Sequence, residues 1–302
     1  QVAALASGGF LTEARNVGAN MIVSRHPIIW DPLKNLRMDN AHTALCVELA
    51  AARIACFSAH TNLDIAPGGV NDTLAKIVGL TNTKPLIPVP QGLQYKLVTF
   101  VPESHLAAMR EAVCAAGAGG IGRYSHCTFS TPGTGTFFPH EGAQPFAGQK
   151  HTLNEEPERR FETIFPKAKL DAVIRALKDA HPYEEPAYDI IPIENRDPDL
   201  GIGVRGKLDA PVPLTALAET VRKSLRVQHV RAVGDPTKPV SKVAVMGGSG
   251  GSSVGKIPFD VDVFITGDVG YHDALEARER GLCVIDAGHE GTERVVVPVV
   301  AS

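Results

Sequence analysis

No stretch of this chain stays apolar for the roughly 20 residues that a membrane-spanning helix requires. Its opening, QVAALASGGFLTEARNVGA, has no basic start, no continuous apolar block, and meets a charge at Glu13. Neither a membrane span nor a signal peptide is expected. A basic excess is lacking too. The formal charge is -3, and no run of lysine and arginine with interleaved aromatics offers the footprint of nucleic-acid binding. Polyanionic partners are therefore not expected. Paired cysteines are also missing: Cys46, Cys56, Cys114, Cys127 and Cys283 are odd in number, widely spaced and form no CxxC. Four of the five fall in apolar strand or helix patterns, so reduced core thiols and a cytoplasmic location are expected. The sequence starts at Gln1, and its first segment reads as a helix leading into the strand MIVS, so a preceding N-terminal piece is expected.

What is present is the balance of an ordinary folded chain: 302 residues, 44% hydrophobic and 21% charged, enough for two or three compact domains. Strand and helix patterns alternate, as in GANMIVSRHPIIW followed by NAHTALCVELAAARIACFSAH, which predicts an α/β protein. Near the other end VDVFITGD, YHDALEARERGL and CVIDAGH repeat the same order. The match extends to residues: His42, Ala44 and Leu45 open one helix, His272, Ala274 and Leu275 the other, and the strands that follow end at His60 and His289. This predicts a duplicated α/β unit whose halves meet in one body.

Between the halves, Tyr95 to Asn195 reads as β, α, β, β, α, β, a ferredoxin-like order. It repeats internally, Pro102, Leu106, Ala108 and Val113 corresponding to Pro166, Leu170, Ala172 and Leu177. The core is thus expected to be discontinuous, with residues 1–93 and 197–302 folding around an insert at 94–196. Proline and glycine in PLIPVPQG and NRDPDLGIG mark the joints as hinges or struts.

Chemistry gathers at strand ends, where ligands collect in open α/β sheets. His289 and Glu293 are four apart after Gly288, a spacing that puts both on one face of a helix starting there. An imidazole with a carboxylate suits borderline divalent ions such as zinc, iron, manganese or cobalt, although a capping acid beside a surface histidine has the same spelling. The other half offers His60 and Asp64, again four apart, and a third strand end offers His26 before Pro27.

These segments, SRHPIIW, SAHTNLDIAPGGVNDTLAKIVGL, FITGDVGYHDA and IDAGHEGTE, resemble in order those of the Nif-three-like proteins, also called GTP cyclohydrolase I type 2 homologues. The middle segment, with GAGGIGRYSHCTFSTPGTGTFFP and HPYEEPAYDIIPI, is similar to the CutA/PII-like insert of the longer bacterial members. The resemblance implies a duplicated Nif-three-like α/β core with an inserted CutA/PII-like domain, a dinuclear metal site and ring-shaped homohexamers. On its motif positions His26, Asp64, His289 and Glu293 are metal ligands, and Glu293 bridges. Two bridged ions would activate a shared water, which implies a hydrolase acting on a C–N or phosphoester bond of a small molecule. Glu293 and His60 are then the candidate catalytic residues, and His60 or Asp286 a supporting hydrogen bond or proton shuttle. The alternative is a metal-binding protein that senses a small molecule through its insert, without catalysis.

One departure stands out. Many bacterial members carry a second histidine where this chain has Arg25, whose guanidinium has no lone pair for a metal. Either one metal position is weakly held, or water fills it, or Arg25 reads a substrate phosphate or carboxylate. Unequal affinity for two ions is expected.

Three further signals carry less. GGSSVGKI at Gly250 to Ile257 nearly spells a phosphate-binding loop, but Ile257 replaces the magnesium-holding Ser or Thr and Pro258 follows; a glycine-rich turn bordering the site is expected instead. HPYEEP, with His181, Glu184 and Glu185, reads as a solvated turn, and HCTF, with His126 and Cys127, as strand.

Overall fold

A computed structural model describes residues 2–5, 8–89, 93–197 and 199–302. The chain divides into two compact units of mixed α/β structure, one formed by Gln1–Ile87 with Gly201–Ser302 and the other by Pro88–Leu200.

The first arm runs β1 (Val2–Leu5), α1 (Gly8–Asn16), β2 (Met21–His26), α2 (Ala41–Ala51), β3 (Ala55–Ser58), α3 (Thr61–Ile65), α4 (Val70–Val78) and β4 (Thr81–Pro88). The middle runs β5 (Leu93–Val101), α5 (Leu106–Ala115), β6 (Thr128–Phe137), β7 (Asn154–Pro166), α6 (Leu170–Ala180) and β8 (Tyr188–Arg196). The return runs β9 (Gly201–Pro213), α7 (Leu214–Ser224), β10 (Arg231–Val233), β11 (Pro239–Val245), β12 (Val263–Thr266), α8 (Tyr271–Glu279), β13 (Cys283–Asp286), α9 (His289–Glu293) and α10 (Val297–Ala301).

In the first unit β1, β2 and β3 form a parallel sheet. A larger sheet has the order β10-β13-β12-β11-β9-β4, parallel across β11, β12 and β13. Strands β12 and β13 are buried throughout, which is why VFIT and CVID read as continuous apolar runs. Alternate residues serve opposite faces: Val263, Ile265, Cys283 and Ile285 pack with Leu74 of α4 and Leu217 and Val221 of α7, while Phe264 and Val284 pack with Ala277 of α8, Val254 and Ile257. The segments β2-α2-β3 and β12-α8-β13 are both strand, helix, parallel strand, and each leads into a one-turn helix, α3 or α9.

The second unit has the β, α, β, β, α, β order read from the sequence, in one antiparallel sheet ordered β6-β7-β5-β8. Leu97, Val101, Phe161 and Phe165 of its strands pack with Leu106, Met109 and Val113 of α5 and Val173 and Leu177 of α6. The internal repeat has a structural meaning. Pro102 and Pro166 each end a strand in extended backbone, followed by a 3-10 turn that feeds the helix.

Several expectations are corrected. Of the five cysteines only Cys283 is buried; Cys56 is exposed and the rest are half-buried, because β3 turns its ACFS largely to the surface. In PLIPVPQG the first four residues are not a joint but the end of β4, an outer strand that tolerates proline; residues 90–92, like Pro198 of the second joint, lie outside the described residues. His181 is buried rather than solvated, its Nε2 2.9 Å from the Phe100 carbonyl and its Nδ1 accepting from the Tyr183 N–H at 3.1 Å, while Glu184 and Glu185 are exposed as expected. Thr128 and Phe129 of HCTF begin β6 as expected, whereas His126, in left-handed backbone at φ 57°, and Cys127 precede the strand. The lookalike phosphate loop is a 3-10 turn, Gly251–Lys256, that stops before Pro258. Among the described residues no helix is long and apolar enough to cross a membrane.

Candidate metal centre

The first unit brings His26, His289 and Glu293 together, with one ligand atom from each lying within 4.8 Å of the others. His26 closes β2, and its Nε2 lies 2.8 Å from Glu293 Oε2. His289 opens α9 and Glu293 closes it, so a single helical turn sets the two side chains on one face, with His289 Nε2 3.3 Å from Glu293 Oε1.

That turn is held from several sides. Asp286, at the end of β13, accepts from the Gly288 N–H at 2.9 Å, from the Val269 N–H at 3.2 Å and from Arg231, so its carboxylate shapes the entry to α9 rather than reaching the centre. Thr292 Oγ1 accepts from the Gly248 N–H at 2.9 Å. Gly248 itself is required. Its φ is +72°, and a Cβ there would lie 2.4 Å from Glu293 Oε1. The glycine-rich turn after β11 thus borders the centre, as its sequence suggested.

His289 has a fixed tautomer. Its Nδ1 is 2.6 Å from Asp268 Oδ2, and donation from that nitrogen holds the Asp268 carboxyl below its ordinary range. In the neutral imidazole the proton therefore sits on Nδ1 and the lone pair on Nε2, an atom that is buried and has no hydrogen-bond partner among the described residues. A carboxylate behind an imidazole is the usual support of a metal-bound histidine. The donor set fits a divalent cation: two imidazole nitrogens, a buried carboxylate and an orphaned lone pair aimed among them.

Arg25 and Asp64 behave differently. Arg25 is buried, and its NH2 donates to both oxygens of Asp64, at 2.9 and 2.7 Å, while standing 3.0 Å from Glu293 Oε1. Asp64 is thereby drawn to the guanidinium and does not join the group formed by the other three. Burial pushes the Asp64 carboxyl up to about 6, against the opposing pull of Arg25. Asn71 ties the two halves, its Nδ2 donating to the Asp64 carbonyl at 2.8 Å and its Oδ1 accepting from the Gly247 N–H at 2.9 Å. His60 stands beside the centre, its ring centroid 5.3 Å from that of His26 and 5.1 Å from that of Trp30. Burial, then the positive charge of Arg25, lowers its pKa.

Asp268 and Asn71 were not singled out from the sequence. The signal for Asp268 is weak but present: a polar residue two places after the buried strand β12, in left-handed backbone at φ 55°.

The model of the Duf34/NIF3 family (NGG1p interacting factor 3) matches residues 2–302. The chain belongs to the Duf34/NIF3 family. Among its relatives are the GTP cyclohydrolase 1 type 2 homologs of Halalkalibacterium halodurans and Bacillus subtilis, each 41% identical over 280 residues that make up 92% of this chain and 75% of the relative. A Bacillus cereus protein related to NIF3 has a crystal structure that superposes with a TM-score of 0.83 at 43% identity, covering 97% of this chain and 79% of that one.

Proposed function

We propose that this Duf34/NIF3 member is a metal-dependent hydrolase, built on one divalent cation held by His26, His289 and Glu293 and acting on a C–N or phosphoester bond. The observation that carries this reading is the buried Nε2 of His289, which faces Glu293 Oε1 at 3.3 Å and has no hydrogen-bond partner among the described residues, while Nδ1 is turned to Asp268. When bound, zinc, iron, manganese or cobalt supplies Lewis acidity and activates water for attack. Glu293 offers oxygens toward both histidines from a buried position. His60, with its pKa lowered, stays neutral near pH 7 and is suited to accept a proton beside His26.

Arg25 argues for one strong cation position in place of two. The resemblance makes Asp64 a metal ligand, yet both Asp64 oxygens accept from Arg25, and the guanidinium already supplies positive charge between Asp64 and Glu293. His289 lines a cavity of about 650 Å³ in which Arg226, Arg231 and Arg294 face Asp268, Asp286 and Glu290, with Arg231 paired to Asp286 and Arg294 to Glu290. Nucleotides and other phosphoesters are the first class to screen, in keeping with the relatives' name.

The remaining features of the proposal follow the resemblance. Residues 1–93 and 197–302 form a duplicated Nif-three-like core around a CutA/PII-like insert at 94–196. The chain assembles as a homohexamer, for which exposed Ile29, Trp30, Leu36, Met38 and Phe57 provide apolar surface to cover. The free cysteines suit a cytoplasmic location. A second reading, small-molecule sensing through the insert, is favoured by a cavity in the second unit.

The test is turnover. The full chain loaded with its native metal is screened against nucleotides and phosphoesters, and Glu293→Ala is expected to abolish activity. Turnover that survives this substitution contradicts the hydrolase reading.

A further inference from the structure

The second unit holds a cavity of about 600 Å³, the size of a small-molecule site, remote in sequence from every residue of the candidate centre. Phe137, Phe146 and Tyr183 form one part of its lining and Glu158, Glu184 and Glu185 another. The Tyr183 ring lies 6.0 Å from that of Phe146 and 6.5 Å from that of Phe137, tilted by 42° and 47°, so the three rings make a continuous aromatic wall.

The charge of the lining has one sign. Among the described lining residues there is no lysine or arginine, and His140 is the one basic type. Glu158, Glu184 and Glu185 have no ion pair among the described residues, whereas Arg160, 5.9 Å from the Phe100 ring, is engaged by Glu162 at 2.6 Å. Glu158 is half-buried and hydrogen-bonded to Tyr183, in space kept open by Gly135, where a Cβ would meet its Oε2 at 2.2 Å. Glu184 Oε1 accepts from the Gln144 N–H at 2.8 Å, which fastens the loop carrying Phe146 over the cavity.

We infer that this cavity binds a small organic cation, an amine or quaternary ammonium group attached to an apolar body. Aromatic faces attract a cation through the ring quadrupole, and a half-buried carboxylate without a cationic partner completes the charge. Phenylalanine-rich lining accommodates the apolar body, and only a cationic ligand adds attraction to half-buried Glu158, whose one side-chain partner among the described residues is the neutral Tyr183 hydroxyl. The inference gives a ligand class to the sensing reading, and its failure leaves the metal reading untouched because no residue is shared.

The experiment is calorimetric titration of the full-length protein with benzyltrimethylammonium, with its neutral isostere neopentylbenzene, and with the anion phenylacetate. The expected result is saturable binding of the cation, about tenfold or more tighter than either comparison ligand. Glu158→Gln and Phe146→Ala should each weaken it by about tenfold, while Glu293→Ala leaves it unchanged. Phe146 is exposed, so its truncation spares the core, and unchanged thermal unfolding confirms that each variant is folded. Absence of cation binding up to about 1 mM, discrimination below tenfold, or insensitivity to both substitutions in folded protein overturns the inference.

Discussion

The side chain that decides most at the residue scale is one that touches no cation ligand but His289. Asp268 fixes which nitrogen of His289 carries the proton, and so leaves Nε2 free to coordinate. Replacing it with asparagine keeps the shape but removes the charge that favours the Nδ1–H tautomer. Asp268→Asn is expected to weaken metal binding by about 10- to 100-fold with little change in fold; an unchanged dissociation constant by calorimetry would sink this role. The histidine and carboxylate pairs of the site were legible in the sequence because a spacing of four on a helical turn is a local property. Asp268 was not, since its partner lies 21 residues away and is reached only once β12 and β13 are paired. The capture of Asp64 by Arg25 was equally hidden. The sequence showed that Arg25 could not ligate, but the fork it makes on Asp64 depends on β2 and α3 meeting across 39 residues.

At the scale of elements, burial on one or both faces separates what the sequence spells from what it conceals. Strands β12 and β13 are covered on both faces, and their unbroken apolar runs announced them. Strand β3 is equally apolar in spelling yet largely exposed, because in the three-stranded sheet it lies at an edge. Its Cys56 is therefore open to solvent, whereas Cys283 opens β13, a covered strand, where burial raises its thiol pKa and lowers its thiolate fraction at pH 8. Thiol labelling at pH 8 should modify Cys56 first and Cys283 only on unfolding, and Cys56→Ser should remove the fastest phase. Labelling of Cys283 at the rate of Cys56 in folded protein would show that the strand assignment is wrong. The turn after β11 belongs to the same scale: Gly250, Gly251 and Gly255 misleadingly spell a phosphate loop, but Gly251 lets backbone pass the Asp268 carbonyl, and Gly248, ahead of the motif, lets it pass beside Glu293.

For the molecule as a whole, the candidate centre gathers residues from opposite ends of the chain, His26 from the first arm and His289 with Glu293 from the return, 267 residues apart across the closest pair. A cation held there would link the two halves of the first unit and bind only when they are folded together, so metal binding is expected to stabilise the fold. Buried Arg25, Asp64 and Glu293 leave one net negative charge when both acids are ionised, which the first divalent cation already exceeds, so a second is disfavoured. The central claim is therefore one of number and place. Calorimetric titration of the metal-free, full-length protein with zinc tests it most directly: the account predicts one strong site per chain that Glu293→Ala removes. Two equal strong sites, or a strong site that persists without Glu293, would contradict it.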